Sequence, residues 1–200
     1  MEWGIPKDFG AMSYEEAEAF LLVLPKHTSK NNLEDTKRFL KVLGSPEESC
    51  HILHVAGTNG KGSVCAYLSS LLREAGCRTG MFTSPHLVEM RERFCVDGEM
   101  ITEERFLWGL RRVMEHLGEA RQAVGRQDYH PTFFELLFLM GMVVFHAEQV
   151  EYLVLETGLG GRLDATNAVE HPVLTLITEI GMDHMAYLGN TIAEIAGEKA

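Results

Sequence analysis

The sequence has 200 residues, of which 46% are apolar and 24% are charged, and its formal net charge is −11 at pH 7. This length suits one domain with a sizeable core, and the acidic balance argues against nucleic acids and acidic membranes as partners. The amino terminus lacks the basic start and apolar core of a signal peptide, and no apolar run approaches the roughly 20 residues of a membrane span. The four cysteines show no C-x-x-C spacing, so we expect free thiols in a reducing cytoplasm.

Two amphipathic helices are predicted first. Ser13, with Glu16 three residues later, forms a capping box for a helix that ends at Pro25. A polar link follows, and a second helix over 33–44 ends at a glycine. We interpret residues 1–50 as a helical lead-in to the main fold.

Strands and helices then alternate along the chain. The predicted strands cover 52–56, 77–84, 150–156 and 173–178, and the predicted helices cover 61–75, 102–117, 131–147 and a segment capped at 191. A long loop is expected over 85–100 and a polar link over 118–127. Apolar strands separated by helices indicate an α/β fold with a mostly parallel sheet covered by helices on both faces.

Four unusual loops follow the predicted strands, at 57–63, 83–93, 157–167 and 179–184. Ligands of such sheets bind at the carboxyl ends of the strands. We therefore expect these four loops to form one site.

The first loop, in "HILHVAGTNGKGSV", passes from a strand through glycines into a helix. Backbone N–H groups and the helix dipole bind anions there, and Lys61 adds a charge, so a nucleotide polyphosphate is the expected ligand. The common phosphate-loop pattern requires Gly at Val55 and Ser or Thr at Gly62, so this loop is a variant. Ser63 either caps the helix or contacts phosphate. The expected nucleotide-binding residues are Gly57, Thr58, Asn59, Gly60, Lys61, Gly62 and Ser63.

The stretch "GTNGKGS" resembles the ATP loop of the amide-forming ligases of the Mur ligase superfamily. The stretches "TSPHL" (83–87), "LETGLGGRLDATN" (155–167) and "GMDHMAYLGNTIAEIAGEKA" (181–200) are similar to folylpolyglutamate synthases and dihydrofolate synthases. The resemblance implies a phosphate-loop ATPase domain like the central domain of Mur ligases. Residues 1–200 would be an incomplete part of it, lacking the rest of that domain and a carboxy-terminal domain, so we expect the isolated chain to be inactive.

Two Mg²⁺ sites are implied beside ATP. A carboxylate at Glu156, which ends a strand, suits this hard cation, although a strand-end acid in water is the alternative. The resemblance adds Ser84 and His184, even though imidazole is not the usual ligand of Mg²⁺. It also implies that CO₂ carbamylates Lys199, which then supports the second Mg²⁺. Without the resemblance, a lysine in such a helix is predicted to lie on a solvated face.

The resemblance implies that Thr132, Phe134 and Asp164 contact a pterin. An aromatic ring can stack on it and a carboxylate can bind its aminopyrimidine, while the alternative for "DYHPTFFELLFL" is helix core. Arg93 lies in "ERF", where the family has Glu-Arg-Ile. It either orients the loop or meets a substrate carboxylate, or it lies exposed on the surface.

The implied reaction is an ATP-dependent ligation of L-glutamate to dihydropteroate or a folate through an acyl phosphate. The expected catalytic residues are Lys61, Lys199 and His184, with Lys61 and the loop amides stabilising charge on the transferred phosphoryl group. We expect the full-length protein to be a cytoplasmic monomer. Three alternatives stay open: a Mur-type ligase that adds an amino acid to a cell-wall precursor, a phosphate-loop nucleotide-binding protein without ligase activity, and a non-catalytic fragment that binds folate only.

Overall fold

The computed structural model describes residues 9–26 and 31–200, without the side chains of Ala186 and Tyr187. The first eight residues of the predicted lead-in and residues 27–30 of the predicted polar link lie outside this range. The helices are α1 (Tyr14–Leu22), α2 (Leu33–Val42), α3 (Lys61–Glu74), α4 (Glu103–Glu115), α5 (Leu117–Val124), α6 (Phe133–Ala147), α7 (Met185–Leu188) and α8 (Ile192–Lys199). The strands are β1 (His51–Ala56), β2 (Thr79–Phe82), β3 (Phe94–Val96), β4 (Glu99–Met100), β5 (Tyr152–Glu156) and β6 (Leu174–Ile177).

The strands form one sheet in the order β4-β3-β2-β5-β1-β6. The strands β2, β5, β1 and β6 run parallel, whereas β3 and β4 extend the sheet in the antiparallel sense. The register sets Val55 opposite Glu156, so the carboxyl ends of the central strands lie at one edge. The predicted mostly parallel sheet is confirmed.

Helices pack on both faces of the central strands. On one face Cys65 of α3 packs against Val55 and Val154. On the other face α6 packs with Ile52 and Leu153 in the main core, because ten of its residues are buried. This helical cover is incomplete at β6, where three of the four residues are exposed. No helix in the described ranges is long and apolar enough to cross a membrane.

Two predicted loops are wrong. The polar link over 118–127 is largely α5, because Leu117, Ala120 and Val124 are buried at helical spacing among polar residues. The long loop over 85–100 contains the β3–β4 hairpin. Its turn is Asp97 and Gly98, with φ of 51° and 83°, and Asp-Gly favours this tight turn.

Capping side chains set the starts of the helices as predicted. Ser13 with Glu16 and Thr191 with Glu194 form complete capping boxes. The helix predicted from Pro131 begins two residues later, since Thr132 caps it. This cap fixes the first turn of α6 above the carboxyl edge of the sheet.

Candidate active site

The loop from Gly57 to Gly60 joins β1 to α3 and requires glycine at its first position. Gly57 has φ of 145°, and a Cβ there would lie 1.8 Å from Thr178 Oγ1, so any side chain would clash. The Thr178 hydroxyl, just after β6, donates to the carbonyl oxygen of Asn59 at 2.7 Å. The end of β6 therefore holds the loop in place.

The backbone amides of this loop divide into two groups. Those of Thr58 and Asn59 donate to the carbonyl oxygen of Glu179, at 2.9 and 3.3 Å. Those of Lys61–Ser63 form the first turn of α3, where no carbonyl one turn earlier in the helix can accept them. Of the residues predicted to bind nucleotide, 57–63, two therefore have backbone amides that already bond within the protein. The amides at the start of α3 are left to bind an anion.

The start of α3 faces the end of β5. Gly60 is the N-cap residue of this helix and no side chain caps it, so Ser63 does not act as a cap. A Cβ at Gly62 would lie 3.8 Å from Glu156 Oε2. The Glu156 carboxylate therefore lies beside the phosphate loop.

Two lysines meet at this loop. The Lys61 amine reaches back to a loop carbonyl at 3.4 Å, and Lys199 Nζ donates to the carbonyl oxygen of Gly57 at 2.9 Å. Burial lowers the pKa of Lys199, and the charge of Lys61 lowers it further, while Asp183 and Asp164 oppose the shift. Lys199 is only 7% exposed, so the prediction of a solvated lysine, made without the resemblance, is wrong.

Glu156 is a buried carboxylate with a backbone partner. It is 3% exposed and accepts a hydrogen bond from the Ser84 amide at 3.0 Å. Burial raises the pKa of Glu156, while the Ser84 amide and the charges of Lys61 and Arg93 lower it. A strand-end acid in water is therefore excluded.

His184 contacts Asp183, the residue before it in the chain. Its amide donates to Asp183 Oδ1 at 2.8 Å, its Nε2 lies 3.6 Å from Asp183 Oδ2, and its side chain is 53% exposed. Within the described residues, no three His, Cys, Asp or Glu side chains cluster as metal ligands. Mg²⁺ is usually held by one or two carboxylates together with water and phosphate oxygens. Glu156 beside Ser84 fits that pattern, and His184 stays a predicted ligand.

Arg93 is buried rather than exposed, so the surface interpretation is wrong. Its Nε donates to His86 Nδ1 at 2.9 Å, and its guanidinium lies 5.6 Å from the centre of the Phe133 ring. Burial lowers the pKa of Arg93 to about 10, against the favourable charge of Glu156. In the described part of the chain it forms no ion pair, so its charge is available to an anionic ligand.

The first turn of α6 meets the glycine-rich loop after β5. Thr132 is buried, and its hydroxyl accepts from the Glu135 amide. The Phe134 ring lies so near Gly158 that a Cβ there would be 2.5 Å from the ring. This close approach brings Phe134 to the loop that also carries Asp164.

Asp164 is buried and its carboxylate is extensively bonded. Its Oδ1 accepts from the amide and the hydroxyl of Thr166, at 3.0 and 2.6 Å, and its Oδ2 accepts from the Leu159 amide at 2.8 Å. The Thr166 hydroxyl also lies 2.8 Å from His54 Nε2. A carboxylate held by three donors has a fixed orientation.

Three side chains at this edge were not selected from the sequence: Thr178, His86 and His54. His86 lies inside "TSPHL", and a polar residue within the apolar strand β1 could have drawn attention to His54. Thr178 carries no sequence signal, because its role depends on the pairing of β6 with β1.

The chain is similar in sequence to known proteins. No protein-family model matches the chain. A protein of Arabidopsis thaliana named folylpolyglutamate synthase is 44% identical over 204 residues, which cover 96% of this chain and 34% of that protein. A protein of Bacillus subtilis named dihydrofolate synthase/folylpolyglutamate synthase is 42% identical over 190 residues, which cover 94% of this chain and 43% of that protein. The chain thus spans less than half the length of these relatives.

Two solved structures also resemble this chain in fold and in sequence. Escherichia coli FolC in complex with DHPP and ADP has a TM-score of 0.84 and 34% identity, covering 94% of this chain and 43% of that chain. Mycobacterium tuberculosis folylpolyglutamate synthase complexed with ADP also has a TM-score of 0.84 and 34% identity, covering 93% and 41%. The predicted α/β fold is confirmed. Over the part of those proteins that it spans, this chain is similar in sequence and fold to folylpolyglutamate synthases and dihydrofolate synthases.

Proposed function

We propose that this chain supplies the ATP-binding and pterin-binding part of a ligase that joins L-glutamate to dihydropteroate or a folate. The observation that carries the proposal is the meeting of the phosphate loop, the Ser84–Glu156 pair and Lys199 at one sheet edge. The names of the relatives support the reaction. The free state of all four cysteines supports a cytoplasmic location.

The open amides of α3 and the amine of Lys61 would bind the phosphates of ATP. Glu156 and the Ser84 hydroxyl would hold Mg²⁺. This cation neutralises phosphate charge when it is bound. The Ser84 amide already orients Glu156, so the carboxylate needs little rearrangement.

Lys199 would be carbamylated. Its lowered pKa increases the fraction of neutral amine at a given pH. The neutral amine attacks CO₂, forming an N–C bond and releasing one proton. The product is an anion beside Lys61, and its nitrogen keeps one N–H for the carbonyl of Gly57. This anion would support a second Mg²⁺.

The dihydropteroate or folate, whose carboxyl group becomes the acyl donor, would lie between α6 and the loop after β5. Phe134 would stack on the pterin and Asp164 would accept from its N–H groups, with Thr132 fixing the turn that presents Phe134. Arg93, buried and without an ion pair in the described ranges, would meet the substrate carboxylate. That charge-assisted contact would hold the carboxylate where ATP can phosphorylate it.

The reaction then needs two displacements, the first at the γ-phosphorus of ATP and the second at the carboxyl carbon of the substrate. A carboxylate oxygen takes the γ-phosphoryl group and ADP leaves, giving an acyl phosphate. The amine of glutamate then attacks the carbonyl carbon, expels phosphate and loses a proton. Lys61 and the α3 amides would stabilise the charge that develops on the transferred group. No side chain has to act as a nucleophile.

Calorimetric titration tests the proposal against its alternatives. We expect the chain to bind ADP with Mg²⁺ and, separately, dihydropteroate, and to ignore UDP-sugars. Binding of a UDP-linked cell-wall precursor in place of dihydropteroate would favour a Mur-type ligase. Binding of nucleotide alone would favour a nucleotide-binding protein without ligase activity.

A further inference from the structure

We propose that His54, acting through the hydroxyl of Thr166, is a positioning residue for the Asp164 carboxylate. His54 lies on β1, three positions before Gly57, and Thr166 and Asp164 lie on the loop that follows β5. All three side chains are buried, with exposures of 7%, 0% and 6%. The chain of hydrogen bonds therefore links the strand that leads into the phosphate loop to Asp164, the carboxylate proposed to bind the pterin.

The direction of each hydrogen bond follows from the number of protons available. The Thr166 hydroxyl has one proton to donate. Its partner at 2.6 Å is Asp164 Oδ1, and the oxygen of an ionised carboxylate can accept hydrogen bonds but cannot donate them. The hydroxyl therefore donates to Asp164 and must accept from His54 Nε2 at 2.8 Å. His54 therefore carries a proton on Nε2. Burial lowers the pKa of His54, although the charge of Asp164 opposes the shift, so the ring is expected to be neutral with Nδ1 unprotonated.

Among the residues that the structure describes, this arrangement leaves Asp164 with one open acceptor position. Each carboxylate oxygen accepts about two hydrogen bonds. Oδ1 is filled by the amide and hydroxyl of Thr166, and Oδ2 receives one bond, from the Leu159 amide. The free lone pair on Oδ2 is thus aimed by the same contacts that His54 supports. The link to ligand affinity rests on the proposed function, in which Asp164 meets the pterin.

Matched substitutions separate positioning from packing. Thr166→Val removes the hydroxyl with little change of shape, and Thr166→Ser keeps it. His54→Leu removes the donor, and His54→Gln keeps an N–H near the position of Nε2. We expect Thr166→Val and His54→Leu each to weaken dihydropteroate binding about tenfold. The Ser and Gln variants should recover most of that affinity, and ADP affinity should stay unchanged in all four.

The double variant His54→Leu/Thr166→Val tests whether both residues act through one path. If they do, the double variant should bind dihydropteroate only slightly more weakly than either single variant, because the hydrogen bonds form one network. Additive losses, or Thr166→Ser as weak as Thr166→Val, would overturn the proposal.

Two measurements remain valid if the chain does not bind dihydropteroate, which would count against the proposed function alone. A ¹⁵N–¹H spectrum of the histidine rings should show His54 protonated on Nε2. Hydrogen exchange of the Leu159 amide should speed up in His54→Leu and return towards the original rate in His54→Gln. A proton on Nδ1 alone, or exchange that is equal in both variants, would contradict the positioning role.

Discussion

The Nζ atom of Lys199 lies 2.9 Å from the carbonyl oxygen of Gly57, so α8 closes directly onto the phosphate loop. The contact is reinforced where α8 meets the loop after β5, since the Arg162 amide and guanidinium bond to the carbonyl and carboxylate of Glu198. The last helix of the chain therefore contacts both loops of the proposed site. Its docking and nucleotide binding should depend on one another.

Lys199 should form a carbamate. Protein equilibrated with ¹³C-bicarbonate at mildly alkaline pH should show a ¹³C carbamate resonance that Lys199→Ala removes. Lys37→Ala is the control, because Lys37 is paired with Glu170 and that hydrogen bond raises its pKa. A spectrum without the resonance, or a resonance that survives in Lys199→Ala, would rule out carbamylation at this lysine.

Gly57→Ala should destabilise the protein strongly. The added Cβ would overlap Thr178 Oγ1, and the positive φ is unfavourable for alanine, so we expect a loss of about 3 kcal/mol or more in the free energy of unfolding. Gly44→Ala is the matched control, since Gly44 also has positive φ but an open surrounding and should cost about 1 kcal/mol. Urea unfolding measures both. Equal losses would show that backbone strain alone, and not the contact with Thr178, matters.

The sequence predicted what local chemistry determines. Capping side chains such as Ser13 and Thr191 mark helix starts because they act on backbone a few residues away. The phosphate loop is likewise local. The buried states of Lys199 and Arg93 could not be predicted, because α8, α6 and distant loops create them. The β3–β4 hairpin was missed although its Asp-Gly turn is a local signal.

Glu156→Gln should abolish the effect of Mg²⁺ on nucleotide binding. The amide oxygen can still accept from the Ser84 amide, but it lacks the charge that a hard cation prefers. Titration of ADP with and without Mg²⁺ should show a clear difference for the original protein and none for the variant. Stability should not fall, because the substitution removes a buried charge. A variant with an unchanged Mg²⁺ effect would place the cation elsewhere.

Arg93→Met should separate stability from binding. Arg93 is buried and forms no ion pair in the described ranges, so an apolar side chain of similar length should leave the free energy of unfolding unchanged or raise it. Dihydropteroate affinity should nevertheless fall at least about tenfold, through loss of a charge-assisted contact.

Arg91→Met is the comparison for Arg93→Met. Arg91 bonds to the carbonyl of Ile101 and to Glu89, so this substitution should cost about 1–2 kcal/mol. Its effect on dihydropteroate affinity should be small. Calorimetry and urea unfolding of both variants check the pattern, and a destabilised Arg93→Met with intact affinity would assign Arg93 a purely structural role.

Two glutamates in similar capping boxes should give opposite dependences of stability on pH. Burial raises the pKa of Glu135, which accepts from the Thr132 amide and Asn31. Between its unfolded pKa of 4.5 and its folded pKa, the folded protein binds more protons, so the contribution of Glu135 to stability falls as pH rises. The Asn190 amide instead lowers the pKa of Glu194, whose contribution is present above 4.5 and is lost as pH falls.

Urea unfolding of Glu135→Gln and Glu194→Gln over a range of pH tests this contrast. Relative to the original protein, Glu135→Gln should gain stability as pH rises above 4.5, because it lacks the buried charge that forms there. Glu194→Gln should lose relative stability as pH rises towards 4.5, because it lacks the carboxylate that the exposed amides stabilise. Parallel pH profiles for the two variants would show that the burial of Glu135, beneath the turn that presents Phe134, does not control its protonation.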